Sequence, residues 1–81
     1  MSSHTLTFEI ADATVNGNDV TSPYTLQNGD VIKLVYAAGT ITVNGVTYSE
    51  TQDISLNNTD IVVTAKRQSP LSTTVTINYT A

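Results

Sequence analysis

Cysteine and tryptophan are absent from this chain of 81 residues, and histidine and methionine occur once each. Without cysteine there is no disulfide framework and no thiolate metal site. Charge is sparse. Only 12% of residues are charged, with 3 Lys and Arg against 7 Asp and Glu, giving a net charge of −4; the usual charged fraction is about 25%. Phosphate recognition needs clustered cations, and here Lys66 and Arg67 are adjacent while Lys33 stands apart. That balance argues against a nucleic-acid partner. No apolar run reaches the length of about 18 residues that a membrane span requires. The opening MSSHTLTFEI lacks a basic segment followed by an apolar one, so no secretory signal is expected as written. Such a chain is made and assembled in a cytoplasm, or is one module cut from a longer protein.

What fills the sequence instead is threonine, at 15 positions, with asparagine and serine beside it. Threonine is β-branched and packs well on a pleated surface, while its hydroxyl keeps the outer face wet. The length makes one domain, residues 1–81, with residues 1–4 expected as a flexible N-terminal tail. A chain this short buries only roughly 60–65% of its unfolded surface. Added burial from oligomerisation or docking onto a larger body is therefore expected.

The stretch Thr-Val-Asn-Gly occurs twice, at Thr14–Gly17 and Thr42–Gly45. With the chain offset by 28 positions, Leu6 meets Leu34, Phe8 meets Tyr36 and Ala13 meets Ile41. Two inserted residues then bring Leu26 to Leu56, Asn28 to Asn58, Asp30 to Asp60 and Val31 to Ile61. The pattern reads as one hairpin-sized β unit repeated about every thirty residues, with a third, partial copy in TVTINYT near the end. Asn-Gly between alternating apolar residues is the strongest short hairpin signal, because both residues adopt positive φ readily.

Alternation assigns faces. Leu6, Phe8 and Ile10 point one way, as do Val75, Ile77 and Tyr79. Lys33 must face water, which turns Ile32, Leu34 and Tyr36 inward and leaves Val31 and Val35 outside. In the run from Ile61 to Lys66 two arguments conflict. The repeat register puts Val62 and Thr64 inside, whereas solvating Lys66 puts Ile61, Val63 and Ala65 inside. The second is preferred, since burying an unpaired ammonium costs more than exposing Val62. Turns are expected at Asp12, 16–19, 27–30, 38–39, 44–45, 57–60 and 68–72, with Pro23 and Pro70 at strand margins. No segment has helical spacing with a cap. The fold class is all-β: a small antiparallel β-sandwich, immunoglobulin-like, of six to seven short strands, with a small barrel as the alternative.

Catalytic chemistry finds few candidates. His4 lies in the expected tail and reads as a solvated residue, not as the base of a triad. Asp12, Asp19, Asp30, Asp53 and Asp60 all fall in expected turns, where aspartate normally bonds its own backbone. Asn16, Asn18 and Asp19 are the best local oxygen cluster, but they miss the spacing of known calcium loops. No cofactor is expected. Tyr36, Tyr48 and Tyr79 fall on the core side, whereas Tyr24 follows Pro23 in a loop and is expected at the surface or an interface. Together with the outward valines it defines the candidate interface: Tyr24, Val31, Val35 and Val62.

The run TLTFEIADATVNG, followed by SPYTLQNGDVIKLVYAAGTITVNG, resembles small immunoglobulin-like β-sandwich modules of tailed-phage virion proteins and bacterial surface proteins. The likeness covers most of the chain and rests on Tyr24-Thr25-Leu26 before the Asn-Gly-Asp turn and on the Thr/Val strands. It implies a non-enzymatic structural or assembly role. The expectation is a bacteriophage virion accessory protein, a head decoration, fibre or tail-associated component, assembled in the host cytoplasm and located in the virion. It would act by multivalent contacts with other virion proteins, as a homo-oligomer or in many copies on a larger assembly. The alternative is an immunoglobulin-like spacer or carbohydrate-binding module of a bacterial cell-surface protein.

Overall fold

Asn-Gly turns organise the structure, a computed structural model that describes residues 3–9, 11–68 and 71–81. Asn16 and Gly17 have φ of 51° and 83°, and Asn44 and Gly45 have 47° and 84°. These are the paired positive values of a two-residue type I′ hairpin loop, which matches the twist of the strands it joins. Around these turns lie ten strands among the described residues: β1 (Thr5–Phe8), β2 (Asp12–Val15), β3 (Asn18–Asp19), β4 (Tyr24–Thr25), β5 (Val31–Tyr36), β6 (Gly39–Val43), β7 (Val46–Tyr48), β8 (Gln52–Asn57), β9 (Ile61–Arg67) and β10 (Thr73–Thr80).

The strands form two five-stranded sheets, in the orders β4-β1-β9-β6-β7 and β3-β2-β5-β10-β8. The chain is an all-β sandwich, as expected. Its strand count exceeds six or seven because β3, β4 and β7 have only two or three residues each. The sheets are mixed: β1 runs parallel to β9, and β10 parallel to β8. Asp12, Asp19 and Asp53 sit in strands β2, β3 and β8, not in turns. The expectations for Ile10, Pro70 and the first two residues fall outside the described residues.

The repeat is real in space, and it interleaves the sheets. Strands β2, β3 and β5 lie in one sheet while β4 crosses to the edge of the other; β6, β7 and β9 lie in that other sheet while β8 crosses back. Each unit thus contributes three strands to one layer and one edge strand to its neighbour. The third, partial copy is the single crossing strand β10. One detail corrects the sequence register. Val15 pairs with Ile32, and Val43 pairs with Val63. The offset between β5 and β9 is therefore 31 residues, where the sequence comparison used 30. With that shift Val31 matches Val62, Ile32 matches Val63 and Leu34 matches Ala65. The conflict over Val62 disappears, and the argument from Lys66 solvation holds: Ile61 and Val63 are buried and Val62 is exposed.

The core lies between the layers. Leu6, Ile32, Leu34, Ile41, Ile61, Val75 and Ile77 are completely buried. Burying one such side chain contributes about 1.5–3 kcal/mol relative to leaving it in water. Polar groups inside are satisfied: no buried side-chain nitrogen or oxygen among the described residues lacks a partner. The Thr73 hydroxyl, completely buried, donates to the Gly39 carbonyl and ties the start of β10 to the start of β6 across the sandwich. Gly39 itself admits no side chain. A Cβ there would stand 2.0 Å from the Lys66 carbonyl oxygen and 2.9 Å from the Arg67 Cα.

Candidate functional site

Each Asn-Gly turn closes on the facing strand through the asparagine itself. In the first unit the Asn16 amide donates to the Val31 carbonyl at 2.9 Å, and its side-chain Oδ1 accepts from the Val31 amide at 2.9 Å. In the second, the Asn44 amide donates to the Val62 carbonyl at 3.0 Å, and Oδ1 accepts from the Val62 amide at 2.8 Å. The side chain thus extends the ladder by one step past the strand end. This use of Asn16 removes it from any calcium cluster with Asn18 and Asp19. Among the described residues no group of three or more His, Asp or Glu is arranged to hold a metal ion.

Two carboxylates finish the units differently. Asp30 is buried. Its Oδ1 accepts from Asn16 Nδ2 at 2.9 Å and its Oδ2 from the Gln27 amide at 2.9 Å. Its backbone carbonyl accepts from Tyr79, so one residue joins a turn, a hairpin and β10. Asp60 is exposed. Its Oδ1 accepts the Thr5 amide at 3.0 Å and lies 3.2 Å from His4 Nδ1. The Thr5 amide first, and the His4 ring second, hold the Asp60 carboxyl below its ordinary value of 3.8. The other ring nitrogen of His4 lies 3.1 Å from Asn58 Oδ1, and the His4 carbonyl accepts from the Leu26 amide at 2.8 Å. His4 is therefore fixed against the body, a correction to its place in a solvated tail. The signal was the Asn-Asn-Thr-Asp turn, whose side chains reach back to the first strand.

The four candidate interface residues do not form one patch. Val62 stands on the outer face of the first sheet, 52% exposed, beside Thr7 on β1. Val31, 40% exposed, and half-buried Val35 stand on the outer face of the second sheet, opposite Asn78 and Thr74 of β10. Tyr24 is half-buried on the edge strand β4, opposite Leu6, and packs against the core. Val31 and Val62 nevertheless share a role, since each follows its turn and is gripped by the Asn clamp of its own unit. Sequence inspection missed Val46 on β7, the valine of greatest exposure at 54%.

The outer face of the first sheet is a threonine surface. Thr64, Thr42 and Thr47 are in register across β9, β6 and β7, and the Thr42 and Thr47 hydroxyls are bonded at 2.9 Å. Thr5 and Thr25 form a second cross-strand pair. One concavity, about 420 Å³, is lined by Phe8, Ala11, Asp12, Ala13, Asp19 and Val20. Another, about 250 Å³, lies at the end of the sandwich where Ser3, His4, Asn28, Asn58 and Ala81 meet. Class and fold are thus those of a small all-β sandwich. Compared with known proteins, the chain matches no family model, no curated protein and no solved structure.

Proposed function

We propose that this chain is a non-enzymatic structural or assembly module, and within that class a bacteriophage virion accessory protein acting through many weak protein–protein contacts. The observation that carries this reading is the character of the two outer faces. The outer face of the first sheet carries little charge and sets exposed Val62 among threonines, whereas that of the second sets Val31 among Thr14, Thr76 and Asn78 with Asp12, Asp19, Lys33 and Asp53 spread across it. Surfaces depleted of charge are what proteins bury against one another, and repetition on a symmetric body turns weak contacts into lasting ones. The resemblance in the strand and turn pattern points to the virion as that body.

The test is fractionation of particles from the native source followed by stripping and rebinding. The expected result is a fixed number of copies per particle and saturable rebinding of the purified chain. A chain found wholly free of particles, with no rebinding, overturns the proposal.

A further inference from the structure

Three of the four sheet edges are short. β3 and β4 have two residues each and β7 has three, whereas β8 has six, Gln52–Asn57. Edge strands invite pairing, and proteins normally blunt them by shortness, lysine, proline or a bulge. β8 carries neither lysine nor proline. Its pairing with β10 is regular over six residues, and no other strand among the described residues flanks it.

The direction of its free backbone groups follows from its ladder. The Asn58 amide donates to the Thr80 carbonyl at 2.7 Å. In a parallel ladder, bonding residues alternate along a strand, so Ile54 and Leu56 turn their backbone groups toward β10. Asp53, Ser55 and Asn57 turn theirs outward. Side chains alternate with the same period of two. Ile54 and Leu56 point inward yet remain only half-buried, because the sandwich is open at this edge.

We propose that β8 pairs antiparallel with β8 of a second copy of this chain, about a two-fold axis through Ser55. This deepens the assembly reading and rests on it. The register is selected by chemistry. A two-fold perpendicular to the sheet keeps inner faces together, so residue numbers at opposed positions must sum to an even value. With Ser55 opposite Ser55, Asp53 faces Asn57 of the second copy twice over. All three outward-facing residues then exchange backbone hydrogen bonds, and Ile54 covers Leu56 of the second copy on the core side. A shift by two residues either way loses one of those bonded pairs. It also sets Ile54 or Leu56 against a polar residue, Gln52 or Asn58. The sequence of β8 is thus complementary to itself. An edge ladder alone buries less than the roughly 1,000 Å² typical of stable complexes, so the pairing depends on concentration and becomes durable where copies are held side by side.

Sedimentation velocity of the full chain over a wide concentration range tests this. The expected result is a reversible monomer–dimer equilibrium. Ser55→Pro removes an outward amide and no bond to β10, so it abolishes the dimer while the circular dichroism spectrum is retained. Asn57→Asp sets like charges opposite one another twice and weakens the dimer roughly threefold to tenfold, whereas Asn57→Lys, facing Asp53, strengthens it by a similar factor. A monomer at every concentration overturns the pairing, as does a dimer indifferent to both Asn57 variants. Either result leaves the wider assembly reading to the particle-rebinding experiment, which fails independently.

Discussion

The two halves of the sandwich close their hairpins alike and part company one residue later. Asn16 and Asn44 hold Val31 and Val62 by the same pair of hydrogen bonds. From Leu26 to Val31 is five residues and from Leu56 to Val62 is six. In the shorter return the Asp30 carboxylate folds inward onto Asn16. In the longer one Asn44 Nδ2 reaches only the backbone carbonyl of Asp60, at 2.9 Å. The Asp60 carboxylate is released to hold the chain's first strand through Thr5 and His4. A single extra residue converts an internal brace into a latch for the N-terminus.

The comparison can be broken most severely at Gly39. Ala11 occupies the matching place in the first unit, 28 residues earlier, and its side chain is accommodated in the core. At Gly39 a Cβ collides with backbone that cannot retreat. Gly39→Ala is expected to cost more than about 3 kcal/mol, most of the stability of a domain this size. Urea unfolding measures it, and a near-wild-type midpoint would show that β6 and β9 are not so close.

Asp30→Ala comes next. It leaves the Asn16 amide group and the Gln27 amide without their acceptor in a part-buried site, for an expected loss of about 2–3 kcal/mol. A double-mutant cycle sharpens the contrast. Asn16→Ala and Asp30→Ala are expected to couple by about 1–2 kcal/mol, because their side chains touch. Asn44→Ala and Asp60→Ala should add to within about 0.5 kcal/mol, because Asn44 bonds only the backbone there. Equal coupling in both units would erase the distinction.

How much of this was legible in the sequence depends on the range of the interaction. Both hairpins, the inner set Ile32, Leu34, Ile61 and Val63, and the outward Val31 and Val62 follow from turn chemistry and the solvation of Lys33 and Lys66. The crossing of β4 between sheets was not legible, since an edge strand of two residues leaves no periodicity to read, and the alternation of Ile54 and Leu56 in β8 marks a strand without saying which sheet it joins. Nor was the parallel pairing of β1 with β9, which joins residues more than fifty positions apart. The register slip by one residue arose because Asp30 and Asp60 look equivalent in sequence and play different parts in space. Of the candidate interface, the outward valines were readable from alternation. Tyr24 was harder to place, because its burial depends on where the chain crosses between sheets.

The smallest expected effect is at Asp60, and it appears as a pH dependence. Its carboxyl titrates below 3.8 in the folded chain, so the contribution is fully present above the unfolded value. It is lost as pH falls through the lower, folded value. Asp60→Asn should therefore lower the neutral unfolding midpoint slightly and converge with the parent chain below about pH 4, which removes part of the acid sensitivity. An unaltered acid profile would mean that the latch to Thr5 and His4 contributes nothing.

The central claim is that β8 is a long, self-complementary edge beside the three short ones, and residue-resolved amide hydrogen exchange tests it most directly. In dilute protein the Ile54 and Leu56 amides should be protected while those of Asp53, Ser55 and Asn57 exchange freely. On concentrating the sample, those three should slow together. Protection of all five at dilution, or three outward amides that stay fast at every concentration, would contradict the account.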